Sequence, residues 1–264
     1  MVGSVREEGA EQGVLKSERH MLVLDRLEEE GKVLAVDLSA SLGVSEDTVR
    51  RDLRELAAAG KLQRVHGGAL PRPPIPVSYT GRLEHEPEAK SEIAKVATDL
   101  VEDGQVVFLD AGTTTLEVAR RLPEGLRATV VTNSPPIALA LAEHPGVEVI
   151  VVGGRLHKES VVAVGAEAVE TIRSFRADLC LLGVCGLHPE EGLTTPVYEE
   201  VAVKRVMIAC ASEVAALVSA EKLDTAFPYV VAPLPSVTYL VTDSSVPAES
   251  LDAYRQLSVT VLRA

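Results

Sequence analysis

The stretch GVSEDTVRRDLRELAAAGKLQRVHGGAL, Gly43 to Leu70, sets the reading of this chain. Gly43 breaks one helix, and Ser45 stands where an N-cap belongs, with Glu46 and Asp47 in the first turn of the next. In that next helix Val49, Leu53 and Leu56 share one face. Asp47, Arg51 and Arg54 fall near the opposite face, and Arg50 flanks it. Gly60 ends the helix. KLQRVHGGAL then alternates and turns at Gly67-Gly68, as a short β-ribbon does. Upstream, SERHMLVLDRLEEEG places Met21, Leu24 and Leu27 at helical spacing before Gly31, and AVDLSASLG is a short second helix. Two helices joined by a glycine turn, the second with a polar outer face, predict a helix-turn-helix; the ribbon makes it winged.

Charge agrees with that reading. Between Thr48 and Arg72 the cations Arg50, Arg51, Arg54, Lys61, Arg64 and Arg72 face only Asp52 and Glu55, a local balance of +4 in a chain of −13. Segregated positive charge suits a phosphate-facing surface, while the acidic remainder limits wrong encounters. A solvated helix with internal ion pairs would explain the arginines alone, but not the turn, cap and ribbon together.

The rest of the 264 residues bounds the architecture. Trp is absent and Phe scarce, so the core is aliphatic, which favours an α/β fold. Cys180, Cys185 and Cys210 have no zinc spacing and read as reduced thiols, Cys180 and Cys210 in buried apolar runs. The N-terminus lacks an apolar signal segment, and no apolar run approaches a membrane span. These features predict a cytoplasmic protein with residues 1–16 as a disordered extension. The expected divisions are a winged helix-turn-helix at 17–70, a proline-rich linker at 71–81 carrying Pro71, Pro73, Pro74 and Pro76, and an α/β domain at 82–264.

Beyond the linker, strand and helix patterns alternate, which predicts an open, mostly parallel sheet with helices on both faces. Ligands of such sheets bind beyond the carboxyl ends of the strands. QVVFLD ends at Asp110 and opens into Gly112, Thr113, Thr114 and Thr115; the next strand ends in Thr-Asn-Ser with Asn133, and the next in Gly153-Gly154. Glycine admits close approach, and free N–H groups with hydroxyls suit a phosphate. A capped helix start explains the first motif equally well; three polar strand ends in succession make a pocket rim.

The run from Val44 to Ala69 resembles the winged helix-turn-helix of DeoR-family bacterial transcriptional regulators: Val44-Ser45, Thr48-Val49, Arg50-Arg51-Asp52-Leu53, Leu56, Gly60-Lys61-Leu62 and His66-Gly67-Gly68-Ala69 follow its pattern in order. The larger domain resembles the family's effector-sensing domain, with Arg82, Lys90, Asp110 to Thr114, Thr132 to Ser134, Gly153-Gly154, Gly165, Asp178, Gly192 to Thr194, Glu200, Lys204 and a late Lys222. The resemblance runs from Ser17 to Asp243. It implies a sensor similar to ribose-phosphate isomerases and a sugar-phosphate effector, its phosphate on the Gly112–Thr115 loop. The family usually carries Asp-Ser-Ser-Lys where this chain has Ser219 to Lys222. Lys222 keeps the cation, and Ser219 replaces the acid.

Two classes compete: a DNA-binding regulator switched by a sugar phosphate, and a sugar-phosphate isomerase with an appended DNA-binding domain. Isomerisation needs carboxylates beside the sugar. The loop that follows the strand within DLCLLGVCGL, Gly183 to Gly186, has no acid, and no histidine sits at a recognisable distance from Cys185; His188 reads as a loop residue. A nucleotide-binding module would need an acid at the end of the second strand, which VVTNS lacks. The expectation is therefore a regulator with no catalytic residues, no metal and no cofactor. The third helix, led by Ser45, Glu46, Asp47 and Thr48, would enter the major groove, with Arg50, Arg51 and Arg54 on bases and phosphates. Arg64 on the wing would touch the flanking DNA, and His66 would either join it or support the linker. A homo-oligomer, dimer or tetramer, would act on repeated half-sites, and family habit points to repression relieved by the sugar phosphate.

Overall fold

The computed structural model describes residues 15–73 and 78–264, and the chain divides into two units between Pro71 and Arg72. The first contains α1 (Lys16–Glu30), β1 (Val33–Leu34), α2 (Ala35–Leu42), α3 (Glu46–Ala58), β2 (Gln63–Val65) and β3 (Gly68–Leu70). Gly31 and Gly43 close α1 and α2 in the left-handed conformation, at φ 69° and 65°. The ribbon gains a third strand: β1, from between the first two helices, pairs with β3 in the order β1-β3-β2. Gly68 permits that crossing, because a Cβ there would lie 1.9 Å from the Val33 carbonyl oxygen.

Two expectations for this unit need correction. Lys16 already belongs to α1, so the helix reaches into the expected extension; residues 1–14 lie outside the described residues. The buried face of α1 is Val23 and Leu27, not Met21, which is 59% exposed. An i, i+3, i+6 series drifts around the helix, whereas the i, i+4 pair stays on the side facing the small core of Leu38, Val49, Leu53, Leu56 and Leu62.

Asp52, counted above as a surface anion, is buried. It follows Val49 by three residues and precedes Leu56 by four, so helical geometry puts it on the apolar stripe. Its carboxylate accepts from Arg19 Nε at 2.8 Å and lies 3.3 Å from His20 Nε2, which ties α3 to α1. Burial works to raise this carboxyl, but the Arg19 hydrogen bond and charge, with His20, outweigh it and hold it below its ordinary value.

The second unit begins with α4 (Tyr79–Glu84) and α5 (Pro87–Thr98), followed by β4 (Val106–Leu109), α6 (Thr113–Arg121), β5 (Ala128–Thr132), α7 (Pro135–Leu141), β6 (Val147–Val151), β7 (Arg155–His157) and β8 (Val162–Val164). It continues with α8 (Ala166–Arg173), β9 (Ala177–Gly183), β10 (Gly186–His188), β11 (Gly192–Thr195), α9 (Tyr198–Ala209), β12 (Ala211–Leu217), β13 (Tyr229–Ala232), β14 (Tyr239–Thr242), α10 (Asp252–Gln256) and β15 (Thr260–Arg263). Seven strands form one sheet in the order β15-β14-β12-β9-β4-β5-β6, every pair parallel. Alternate residues of one strand feed two cores. Leu179 and Leu181 of β9 join Ile93, Leu116 and Ile137 on one face; Cys180 and Leu182 join Ile172, Val203 and Met207 on the other.

Here too the structure revises the sequence reading. Pro74 to Val77 of the expected linker lie outside the described residues, and Tyr79–Gly81, also assigned to it, begin α4. The pattern of EAKSEIAKVATDLVEDG predicts a helix ended by Gly104, but α5 stops at Thr98; Gly104, at φ 84°, turns the chain into β4 and donates to Arg127 O. The β7-β8 hairpin and the small sheet β10-β11-β13 were not foreseen. His188 is a buried strand residue whose Nδ1 accepts the Glu190 and Glu191 N–H groups, not a loop residue. Of the cysteines only Cys180 is buried; Cys185 and Cys210 are partly exposed.

Replacing Asp52 by Asn keeps the shape but removes the charge that holds Arg19. The expected cost is about 1.5–3 kcal/mol, the range for hydrogen bonds to charged groups, read by urea unfolding. Because the folded value is lowered, the wild-type advantage is complete at neutral pH and disappears as pH falls through the carboxylate range. A mutant equally stable at pH 7 would contradict the role given to this pair.

Candidate DNA-binding and effector sites

In the first unit the helix cap forms as its residues require. The Thr48 N–H donates to Ser45 Oγ at 3.3 Å, and the two hydroxyls lie 3.0 Å apart, so both polar groups take part in fixing the start of α3. Asp47, Arg50, Arg51 and Arg54 are exposed on that helix, Glu46 and Thr48 are half-buried, and Arg64 and His66 are exposed on the wing. Arg50 is held along its own helix by Glu46 at 2.5 Å and Asp47 at 3.6 Å, and Arg54 Nε donates to Arg50 O. Arg72 leaves the cationic set: it belongs to the second unit, with its guanidinium 5.6 Å from the Phe227 ring centre. The remaining surface presents arginines at the tip and wing over an apolar base, with charge and shape suited to a nucleic-acid groove.

In the second unit the strand order reverses between β4 and β9, since β5 and β6 extend to one side and β9, β12, β14 and β15 to the other. A crevice opens beyond the carboxyl ends at such a switch point. Asp110 ends β4 there and Gly183 ends β9. Asp110 Oδ2 accepts the Gly183 N–H at 3.1 Å, and Lys204 from α9 donates to that same carboxylate and to Gly183 O at 2.9 Å. One acid and one lysine thus grip both sides of the strand end. Burial lowers the Lys204 ammonium, but Asp110 and Glu200 outweigh that and raise it above its ordinary value, so it stays protonated.

The predicted effector residues therefore separate by role. Asp110 and Lys204 are 1% and 5% exposed and bind each other and the Gly183 backbone, so they brace the strand ends. Above them Gly112 caps α6, and Thr113, Thr114 and Thr115 form its first turn, where backbone N–H groups have no partner within the helix. Asn133 is buried; its Nδ2 donates to Ala163 O while Oδ1 has no hydrogen-bond partner. Gly153 is exposed, and Gly154, at φ 140°, lies where a Cβ would come within 2.7 Å of Val164 O. Glu200 is buried with one oxygen 3.9 Å from Lys204. Lys222 closes the short 3-10 turn Ala220–Lys222; burial and the nearby Arg82 and Lys204 charges pull its ammonium below its ordinary value.

Sequence reading missed Asp243. Buried at the end of β14, it accepts the Ala220 N–H at 2.9 Å, beside the serine that stands in place of the family's acid. The signal was available: VTD ends its strand as FLD does. His85 and Glu221 were also missed; they meet at 2.6 Å across 136 positions, which no local pattern encodes.

Comparison with known proteins agrees with both units. Residues 19–71 match the DeoR-like helix-turn-helix domain and residues 85–244 the DeoR C-terminal sensor domain. The HTH-type transcriptional regulator GlpR of Haloferax volcanii is 36% identical over 251 residues, covering 94% of this chain and 98% of that protein. The HTH-type transcriptional repressor GlcR of Bacillus subtilis is 36% identical over 234 residues, covering 86% and 88%. The glycerol-3-phosphate regulon repressor of Escherichia coli K12 is 31% identical over 194 residues, covering 73% and 77%. Ribose 5-phosphate isomerase A of Methanocaldococcus jannaschii shares a partial likeness, at TM-score 0.40 and 18% identity over 52% of this chain and 55% of that one. The two units define a DNA-binding transcription regulator with an α/β sensor. The chain belongs to the DeoR family and is a regulator, not an enzyme. No helix among the described residues is long and apolar enough to cross a membrane.

Replacing Lys204 by Met strands the Asp110 carboxylate in the core, and the expected loss is about 3–5 kcal/mol of stability. Adding Asp110→Leu removes the stranded charge and should recover most of that loss. Urea unfolding of the three proteins measures both steps; a double mutant no better than the single would contradict a paired brace.

Proposed function

We propose that this protein represses transcription from operator DNA as a cytoplasmic homo-oligomer, and that a phosphorylated sugar bound in the sensor unit relieves the repression. The observation that carries the effector reading is the first turn of α6 at the switch-point crevice, which Gly112 caps without any side-chain cap hydrogen bond. Backbone donors and a helix dipole favour an anion there. Asn133 Oδ1, buried without a partner, and the Glu200 carboxylate are acceptors suited to sugar hydroxyls. The name of one relative, a glycerol-3-phosphate regulon repressor, points to the same ligand class. Asp243 puts a carboxylate next to Ser219, with Oδ2 accepting the Ala220 N–H and Oδ1 accepting from Ser245.

On the DNA side Ser45, Glu46, Asp47 and Thr48 lead α3 into the major groove, with Arg50, Arg51 and Arg54 shared between bases and phosphates. Arg64 and His66 meet the flanking backbone. Arg50 must leave Glu46 or Asp47 to reach DNA, so its contribution is reduced by the pair it breaks. Two or more units on repeated half-sites supply the affinity that one small domain lacks.

Two measurements test this reading. A thermal-shift screen of sugar phosphates against the matching free sugars should give a response only with phosphate; a ligand at 100 times its Kd adds about 2.7 kcal/mol. A response to free sugar alone, or to none, would contradict it. In operator titrations across salt, Arg64→Ala should weaken binding to all sequences alike and lower the salt slope by about 1, while Arg51→Ala should cost about 1–3 kcal/mol if it reads a base. An unchanged slope would remove Arg64 from the phosphate contacts.

A further inference from the structure

The sensor must pass its state to the chain that leads from the DNA-binding unit, and that chain enters through α4. Two features fix the corner between α4 and α5, and a third ties that corner to the turn that holds Lys222. Lys90, 7% exposed on α5, donates its ammonium to the carbonyls of Arg82 and His85, so one buried cation clasps the end of α4. Glu86, the N-cap of α5, stands at φ 46°, ψ 55°, a left-handed conformation uncommon outside glycine, which the surrounding contacts must hold in place. His85 Nε2 lies 2.6 Å from Glu221 Oε2, and Glu221 adjoins Lys222 in the three-residue turn after β12.

We propose that the His85–Glu221 contact couples occupation of the effector site to the order of α4, so that an anion held by Lys222 tightens the helix through which the DNA-binding unit is attached. The inference rests on the effector reading above. Burial disfavours the Lys222 ammonium most, and the like charges of Arg82 on α4 and Lys204 on α9 add to that, against the favourable charge of Glu221. An anion at Lys222 offsets that repulsion and fixes the turn. Glu221 moves with the turn, His85 with Glu221, and the Lys90 clasp carries the constraint to the Arg82 carbonyl at the end of α4. Binding energy that differs between a loose and a tight α4 is what a ligand needs to shift a two-state equilibrium.

The test is amide hydrogen exchange on the full chain, read by mass spectrometry with and without inorganic phosphate, alongside a thermal-shift titration. In the wild type, phosphate should slow exchange in two places: the first turn of α6 at Thr113 to Thr115, and α4 at Tyr79 to Glu84. His85→Ala should keep the thermal shift and the protection at α6 while losing the protection at α4, and His85→Gln, which can still donate to Glu221, should restore it. Protection of α4 that persists in His85→Ala, or wild-type protection confined to α6, overturns the coupling and leaves the effector site intact. No thermal shift and no protection at α6 overturns the effector site, and the coupling with it.

Discussion

A buried carboxylate and a buried ammonium meet where the strand order of the sheet reverses, and the sensor is arranged around that contact. Asp110 and Lys204 lie 94 positions apart, on β4 and α9, and both also hold the peptide of Gly183 at the end of β9. The three elements they join belong to both sides of the strand-order reversal, so the crevice between them has a fixed floor. Removing two charges from water is costly, and the pair is tolerated because each charge is met by the other and by backbone groups. The rim residues Thr113 to Thr115 and Asn133 are buried beside that contact, so the polar strand ends form part of the packed interior.

The small unit repeats the device with other residues. Asp52 sits on the apolar stripe of α3 and binds Arg19 and His20 of α1, while the arginines on the outer face remain exposed. One carboxylate in the RRDL stretch therefore serves the core, and its neighbours Arg50 and Arg51 serve the surface. That division explains how a short acidic and basic run can act both as a structural joint and as a DNA-facing patch.

Much of this was legible in the sequence because it is local. Helix starts and stops at Gly31, Gly43 and Ser45 are set by backbone conformation and capping within a few residues, and the alternation of strands and helices marks the parallel sheet. Asp110, Asn133 and Gly153 were readable as residues just past the ends of three strands before the strand order was known. The illegible parts depend on partners far away in the chain. The core position of Asp52 emerges only once its place on the stripe is compared with Arg19; the Asp110–Lys204 contact spans 94 positions; and α4 follows a run of prolines that signals extended chain. The short strands β1, β7 and β10 are stabilised by cross-strand neighbours, not by any pattern of their own.

The central claim is that a sugar phosphate binds at the carboxyl ends of the strands with its phosphate on the start of α6. A crystal structure of the full chain with the sugar phosphate selected by binding tests this most directly. The account predicts phosphate oxygens within hydrogen-bond distance of the Thr113 to Thr115 backbone N–H groups, with Lys222 turned toward them and Asp110 still on Lys204. Phosphate density elsewhere on the molecule, or Lys204 released from Asp110 to bind it, would contradict the account.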